Sequence, residues 1–323
     1  MEFENKLWLD KLNGLNEPVN IHNVGIYFRN FFNDETDYFN LLIKEHKFQS
    51  LTESNKQNNA FRKGIYLTNV KQEGDEEYKF NLLRCSSNLD GPTDNFRETD
   101  LQIINKVTEA AKDFFDRPFN LNHVLAQVYE NNVETNKKAK IKDHSDKTKD
   151  MDKSGIMAFC TFYNKDELKK CSKQSTTDPF DYVYKETSVL TRLKFRLKDD
   201  VNNSDLVKLF EITLYPGSVF VMPLSTNRLY THEICPSVLN VEQIPTRMGY
   251  VIRCSDTEAI YKNGQTFIVD NKTNNLIRMV EPSDSEVKRL KDLYYKENMF
   301  SDVVEYKDFH FSLNNGDYLK PNI

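Results

Sequence analysis

Residues 214–236 read LYPGSVFVMPLSTNRLYTHEICP. Proline presets φ at one corner of a turn and glycine accepts the next, so Pro216-Gly217 marks a tight turn. SVFVMP and RLYTHEI are short and rich in β-branched and aromatic residues, so both read as strands, with His232 near the end of the second. Working outward, the same texture recurs in NHVLAQVY (122–129), GIMAFCTFY (155–163), SVLTRLKFRL (188–197), LFEITL (209–214) and RMGYVIRC (247–254). KDDVNNSD (198–205) is a turn segment. Helices do not alternate with these strands, which argues against a doubly wound α/β fold.

The flanks read differently. DETDYFNLLIKEHKF (34–48) spaces Tyr38, Leu41, Leu42 and His46 as a helix does. LTESNKQNNAFRKG (51–64) reads as a polar connection, and GIYLTNV and EEYKFNLL as short strands. A clearer helix follows in 98–116, with Leu101, Ile104, Val107, Ala111 and Phe114 on one face, Thr99 or Asp100 as cap and Pro118 as stop. After the strands, Asn263-Gly264 predicts a hairpin, and Ser283-x-x-Glu286 predicts a capping box that opens a final helix. The expected fold is mainly β with helices. A double-stranded β-helix (jelly roll) core spans 61–255, an N-terminal helical extension spans 1–60, and a C-terminal hairpin and helix span 256–323.

The 323 residues carry enough apolar and aromatic side chains for a core, with 22 Phe and 16 Tyr. No run approaches the roughly 20 apolar residues of a membrane span. The N-terminus lacks the basic and apolar regions of a secretory signal. Five cysteines with no C-x-x-C argue against a disulfide framework and a four-cysteine zinc site. The expected compartment is therefore cytoplasmic or nuclear. A net charge of −5 means that nucleic acid would need a local basic patch. One candidate is KIKDHSDKTKD (140–150), where lysines surround His144 and Asp146.

His144-x-Asp146 alone is a weak signal, compatible with a solvated loop. It gains weight beside His232, because strand ends can converge in such a core. Two imidazoles and one carboxylate form the facial triad of non-haem Fe(II) oxygenases. Arg247 and Arg253 are six residues apart, so on a strand they share a face with Gly249 and Val251. Two interior guanidiniums require anions, and 2-oxoglutarate offers a carboxylate at each end. The bland alternative is an exposed arginine face.

Together these segments resemble the AlkB-like 2-oxoglutarate- and Fe(II)-dependent dioxygenases over roughly residues 60–255. The resemblance is carried by 214–236, by the R-x5-R of RMGYVIR, and by FNLNHVLAQVY (119–129) before H-x-D. It implies that His144, Asp146 and His232 bind Fe(II), and that Arg247 pairs with the distal carboxylate of 2-oxoglutarate. It places Tyr129 and Gln127 on the cosubstrate and Arg253 near the carboxylate that chelates the metal. Gln127 and Gly249 stand where the family has asparagines, and the Tyr129–His144 loop is longer than usual. The implied reaction consumes O2 and hydroxylates an alkylated DNA or RNA base, with Tyr66, Arg62, Lys63, Lys140 and Lys142 facing it. A protein substrate is the alternative. So is a non-catalytic jelly roll with a structural zinc on His144, Asp146, His232 and Cys235. The remaining histidines, His22, His46, His123 and His310, show no partner pattern in the sequence.

Overall fold

The computed structural model describes residues 17–53, 56–83, 89–306 and 309–323. Residues 1–16 of the expected N-terminal extension lie outside the described residues. Strands β1 (Val19–Ile21), β2 (Gly25–Phe28), β3 (Gln49–Glu53) and β4 (Lys56–Thr68) are followed by β5 (Lys71–Gly74), β6 (Glu77–Leu82) and β7 (Asp94–Asn95). Next come β8 (His123–Tyr129), β9 (Ile141–His144) and β10 (Ile156–Tyr163), then the short β11 (Lys173–Gln174), β12 (Tyr182–Tyr184) and β13 (Thr187–Ser188). The remaining strands are β14 (Arg192–Leu197), β15 (Leu209–Thr213), β16 (Val219–Pro223), β17 (Tyr230–Cys235), β18 (Arg247–Arg253), β19 (Thr257–Lys262), β20 (Gln265–Val269) and β21 (Leu276–Arg278). Among the described residues five helices accompany them: α1 (Tyr38–Glu45), α2 (Glu98–Lys112), α3 (Lys165–Cys171), α4 (Leu224–Leu229) and α5 (Asp284–Met299).

The chain is mainly β, and its larger sheets are antiparallel. The largest runs β1-β2-β16-β10-β18-β8-β4-β3, with β7 added in parallel on β4. A second runs β15-β14-β17-β9. Phe159, Phe220 and Met157 of the first and Phe195, Phe210 and Tyr230 of the second share one buried cluster, so the two sheets face each other. The large sheet's other face is covered by α1 and α2 through Leu42, Ile103, Ile104 and Val107. Covered on both faces, β10 is buried throughout and, apart from Thr161, apolar or aromatic rather than alternating.

Four expectations need correction. The N-terminal segment is not all helical: β1 and β2 precede α1, and β2 pairs with β16 inside the large sheet. The stretch read as a polar connection is largely strand, because β3 and β4 pair with each other across it and β4 goes on to pair with β8. Helix α2 begins at N-cap Arg97, whose amide donates to the Asp100 carboxylate at 2.7 Å, so Asp100 caps from inside the first turn. Its buried face keeps Ile104, Val107 and Ala111 and adds Ile103, while Leu101 and Phe114 are exposed, so the stripe is rotated by a fraction of a turn.

The tight turn is present, with the Ser218 amide donating to the Tyr215 carbonyl at 3.0 Å and Gly217 at φ +75°. The C-terminal hairpin joins β19 to β20, and it does more than append itself. β19 pairs with β6, so the hairpin, with β21 beyond it, completes a five-stranded sheet with β5 and β6. Its turn has Asn263 at φ 51° and Gly264 at φ 76°, the left-handed pair a two-residue hairpin requires. Nothing lies within 4 Å of a Cβ built on Gly264. Gly264→Ala therefore isolates backbone strain, expected to cost about 1 kcal/mol in urea-induced unfolding.

The Ser283/Glu286 capping box opens α5 as expected. The four described cysteines at 160, 171, 235 and 254 are free. Among the described residues, no helix is long and apolar enough to cross a membrane.

Candidate metal centre

Strand register builds the site. His144, the last residue of β9, lies directly opposite His232 on β17. Their rings stand 4.5 Å apart between centroids. Asp146 follows two residues after His144, and its Oδ1 lies 3.5 Å from His144 Nε2 and 3.9 Å from His232 Nε2. One ligand atom from each residue falls within 4.8 Å of the others, a set able to hold a metal ion. Lys142 O can only accept, so His144 Nδ1, at 2.8 Å from it, carries the proton and leaves Nε2 free to ligate.

Electrostatics favours ligation. Burial pushes His232 down, proximity to His144 adds to this against the pull of Asp146, and the ring ends at about 3. It is therefore neutral, the form that binds metals. Burial alone would raise Asp146, but the Arg253 guanidinium and the two imidazoles outweigh it and hold the carboxyl well below its usual range. Arg253 Nε and Nη2 both donate to Asp146 Oδ2, at 3.0 and 2.6 Å. That fixes the carboxylate with Oδ1 turned toward the histidines. Phe159 and Phe195 rings, 5.6 and 5.8 Å from His232, close the inner side.

The arginine pair separates into two roles. Arg253 is answered inside the protein by Asp146, which corrects the expectation that both guanidiniums require an outside anion. Arg247 is 2% exposed, and among the described residues its Nε and Nη2 have no hydrogen-bond partner. Its guanidinium lies 4.1 Å from the centroid of the Tyr129 ring. β18 and β8 pair Arg247 with Tyr129 and Gly249 with Gln127, which places all four on one wall. Tyr129 donates to Gln127 Oε1 at 3.2 Å. A Cβ on Gly249 would come within 3.1 Å of Arg247 Nη1 and 3.3 Å of Tyr129. An asparagine there would crowd the stacked pair, which accounts for the glycine. The N, N, O donor set and the unanswered buried cation both fit an Fe(II) and a dicarboxylate held together.

The expected substrate-facing residues divide. Tyr66 is buried with Leu51 and Leu89 and meets His123 edge-on at 5.3 Å. It therefore cannot stack on a base. Lys63 pairs with Glu130 at 2.8 Å. Arg62 lies opposite Tyr129 across the β4–β8 pair, and among the described residues its Nε has no hydrogen-bond partner. Lys140 and Lys142 are exposed. Much of the lysine rim is engaged elsewhere: Lys138 with Ser237 O, Lys147 with Tyr294 O, Lys149 with Asp150 and Lys153 with Glu305.

Cys235 stands three residues from His232 on a strand, hence on the opposite face, and does not join the ligand set. The four-ligand zinc alternative thus lacks its fourth ligand. Of the histidines read as without partners, His46 differs. His46 is held between Asp94 and Asp100. His123 is buried with Nδ1 unpartnered, and burial, then Arg253, pushes it down to about 3. A cleft of about 610 Å³ lies outside the ligand loop, lined by Thr148, Asp150, Asn227, Arg228, Glu297 and Tyr306.

No protein-family model matches the sequence, and no curated protein matches it. Among solved structures the chain is similar to that of OsALKBH1, at 12% identity and a TM-score of 0.40, over 71% of this chain and 97% of that one.

Proposed function

We propose that this chain is an AlkB-like Fe(II)- and 2-oxoglutarate-dependent dioxygenase that hydroxylates an alkylated nucleic-acid base. The observation that carries the reading is the buried, unanswered Arg247 on a wall of the same interior that holds the His144, Asp146, His232 set. The strand order supports it. Of the eight strands β8, β9, β10, β14, β15, β16, β17 and β18, the first, third, sixth and eighth lie in the large sheet and the others in the small one. First pairs with eighth and second with seventh, which is the wrapping of a double-stranded β-helix.

His144, Asp146 and His232 would hold Fe(II), with Arg253 orienting the carboxylate. Arg247 would pair with the distal carboxylate of 2-oxoglutarate, assisted by Tyr129 and Gln127. When bound, the metal and cosubstrate supply the oxidising chemistry, in which O2 converts 2-oxoglutarate to succinate and CO2 and one oxygen reaches the substrate. The aromatic wall around His232 excludes water, which strengthens every charge contact inside. Hydroxylation of an N-methyl group would end in loss of formaldehyde.

Lys140, Lys142 and Arg62 support a nucleic-acid partner, offering cations beside the site. A protein partner is the second reading, favoured by the engaged lysine rim and the net charge of −5.

The test is succinate formation from 2-oxoglutarate with Fe(II), ascorbate and O2, with and without a single-stranded N1-methyladenine oligonucleotide. Succinate that depends on His144 (at least about 100-fold lower in His144→Ala), is stimulated by the oligonucleotide and comes with formaldehyde is the expected result. His144-dependent succinate without stimulation moves the substrate to protein. Equal succinate in wild type and His144→Ala ends the oxygenase reading.

A further inference from the structure

β9 ends at His144, so the backbone amides that follow have no ladder partner, yet Ser145 is fully buried. Buried amides must find acceptors, and here side chains from distant helices provide them. The Ser145 amide donates to Asn298 Oδ1 of α5 at 2.9 Å. The Asp146 amide donates to Asn227 Oδ1 of α4 at 2.8 Å, and Asn227 Nδ2 donates back to the Asp146 carbonyl at 2.9 Å. The Thr148 amide meets the Glu297 carboxylate at 3.2 and 3.3 Å. Lys147 and Lys198 donate to carbonyls at the C-terminal end of the same helix, Tyr294 O at 3.0 Å and Glu297 O at 2.7 Å.

Resting on the assignment of His144, Asp146 and His232 as metal ligands, we propose that Asn298 and Asn227 are positioning residues that set the metal affinity. The C-terminal helix is thereby a working part of the metal centre. Asn298 fixes the peptide between the two loop ligands, and Asn227 fixes the second of them from both sides. Each holds backbone, so the spacing of His144 and Asp146 is set before any ion arrives. Without them the ligands would have to be ordered by the ion itself, at the expense of affinity.

The chemistry separates positioning from bulk stability. Asn298 uses only its oxygen as acceptor. Asn298→Asp keeps that acceptor, whereas Asn298→Leu and Asn298→Ala remove it. Asn227 is both acceptor and donor, so Asn227→Asp turns an oxygen toward the Asp146 carbonyl.

The measurement is Co(II) binding to the full chain, followed by its d–d absorption, with thermal melting of the metal-free protein alongside. We expect Asn298→Leu, Asn298→Ala and Asn227→Asp to weaken Co(II) about 10- to 100-fold. Asn298→Asp should stay within about threefold of wild type. Two outcomes overturn the proposal: wild-type affinity in folded Asn298→Leu or Asn298→Ala, or loss in Asn298→Asp equal to that in Asn298→Leu. A wild-type chain that takes up no Co(II) would instead remove the metal assignment beneath it.

Discussion

Replacing Arg247 by methionine should weaken 2-oxoglutarate binding by roughly 30- to 3,000-fold and leave the ligand-free protein slightly more stable. The guanidinium is 2% exposed with two nitrogens unanswered. Removing one side of a buried, hydrogen-bonded charge pair costs about 2–5 kcal/mol, and each 1.4 kcal/mol is tenfold. In the ligand-free chain the same residue is a liability. An unpaired buried charge costs about 1–3 kcal/mol or more, and stacking on Tyr129 returns about 1 kcal/mol of it. Arg247→Met should therefore raise the unfolding free energy by about 1 kcal/mol without ligand, and the gain in Tm from added 2-oxoglutarate should vanish. Calorimetric titration and thermal melts with and without 2-oxoglutarate check both. A destabilised variant with unchanged affinity would make Arg247 a structural residue.

The second large effect lies outside the metal centre. His46 caps the C-terminal end of α1, with Nδ1 2.9 Å from Asp94 and Nε2 2.7 Å from Asp100. Asp100 also accepts from Tyr250 at 2.7 Å and from the Arg97 amide. Glu45, His46 and Asp100 are spaced like metal ligands. Both imidazole nitrogens, however, already donate to carboxylates, so the group is an imidazolium strut tying α1, α2 and β18. Burial alone would push His46 down, but the hydrogen bonds and charges of Asp100 and Asp94 outweigh it and raise it to about 9.

Between pH 6.5 and about 9 the folded chain therefore holds a proton that the unfolded chain has released, so stability falls as pH rises through that window. The raised pKa corresponds to about 3 kcal/mol, complete below pH 6.5 and gone above 9. His46→Gln should lose about 3–5 kcal/mol at pH 6, because two buried carboxylates then face a neutral partner. Its stability should also be flatter between pH 6.5 and 9 than that of wild type. Urea unfolding at pH 6, 7.5 and 9 decides it, and parallel pH profiles for the two proteins would refute the strut.

Local pattern carried much of this molecule. Short β-branched and aromatic runs marked the central strands of the two facing sheets, Asn263-Gly264 marked its hairpin, and Ser283 with Glu286 marked the last helix. These signals are local because backbone dihedrals and neighbouring side chains suffice to produce them. The ligand set was legible because H-x-D puts two donors on a short extended segment and few other histidines sit at strand ends. The N-terminal strands were missed because GIYF is only four residues long, and β2 exists through pairing with β16, nearly two hundred residues away in sequence.

Partners across the fold were beyond the sequence. Nothing in RMGYVIR distinguishes Arg253, matched by Asp146 from 107 residues away, from Arg247, which has no such match. Tyr66 has the composition of a stacking residue and the burial of a core one. His46 looks isolated until α2 brings Asp94 and Asp100 around it. The sequence by itself determined most strands between residues 122 and 254 and which residues can ligate a metal, because those depend on side-chain identity and short-range spacing. Only the tertiary structure decided which charges are neutralised within the chain, that Arg247 is buried with two nitrogens unanswered among the described residues, and that the C-terminal helix holds the loop after His144. Those outcomes depend on desolvation and on contacts between residues far apart in the chain.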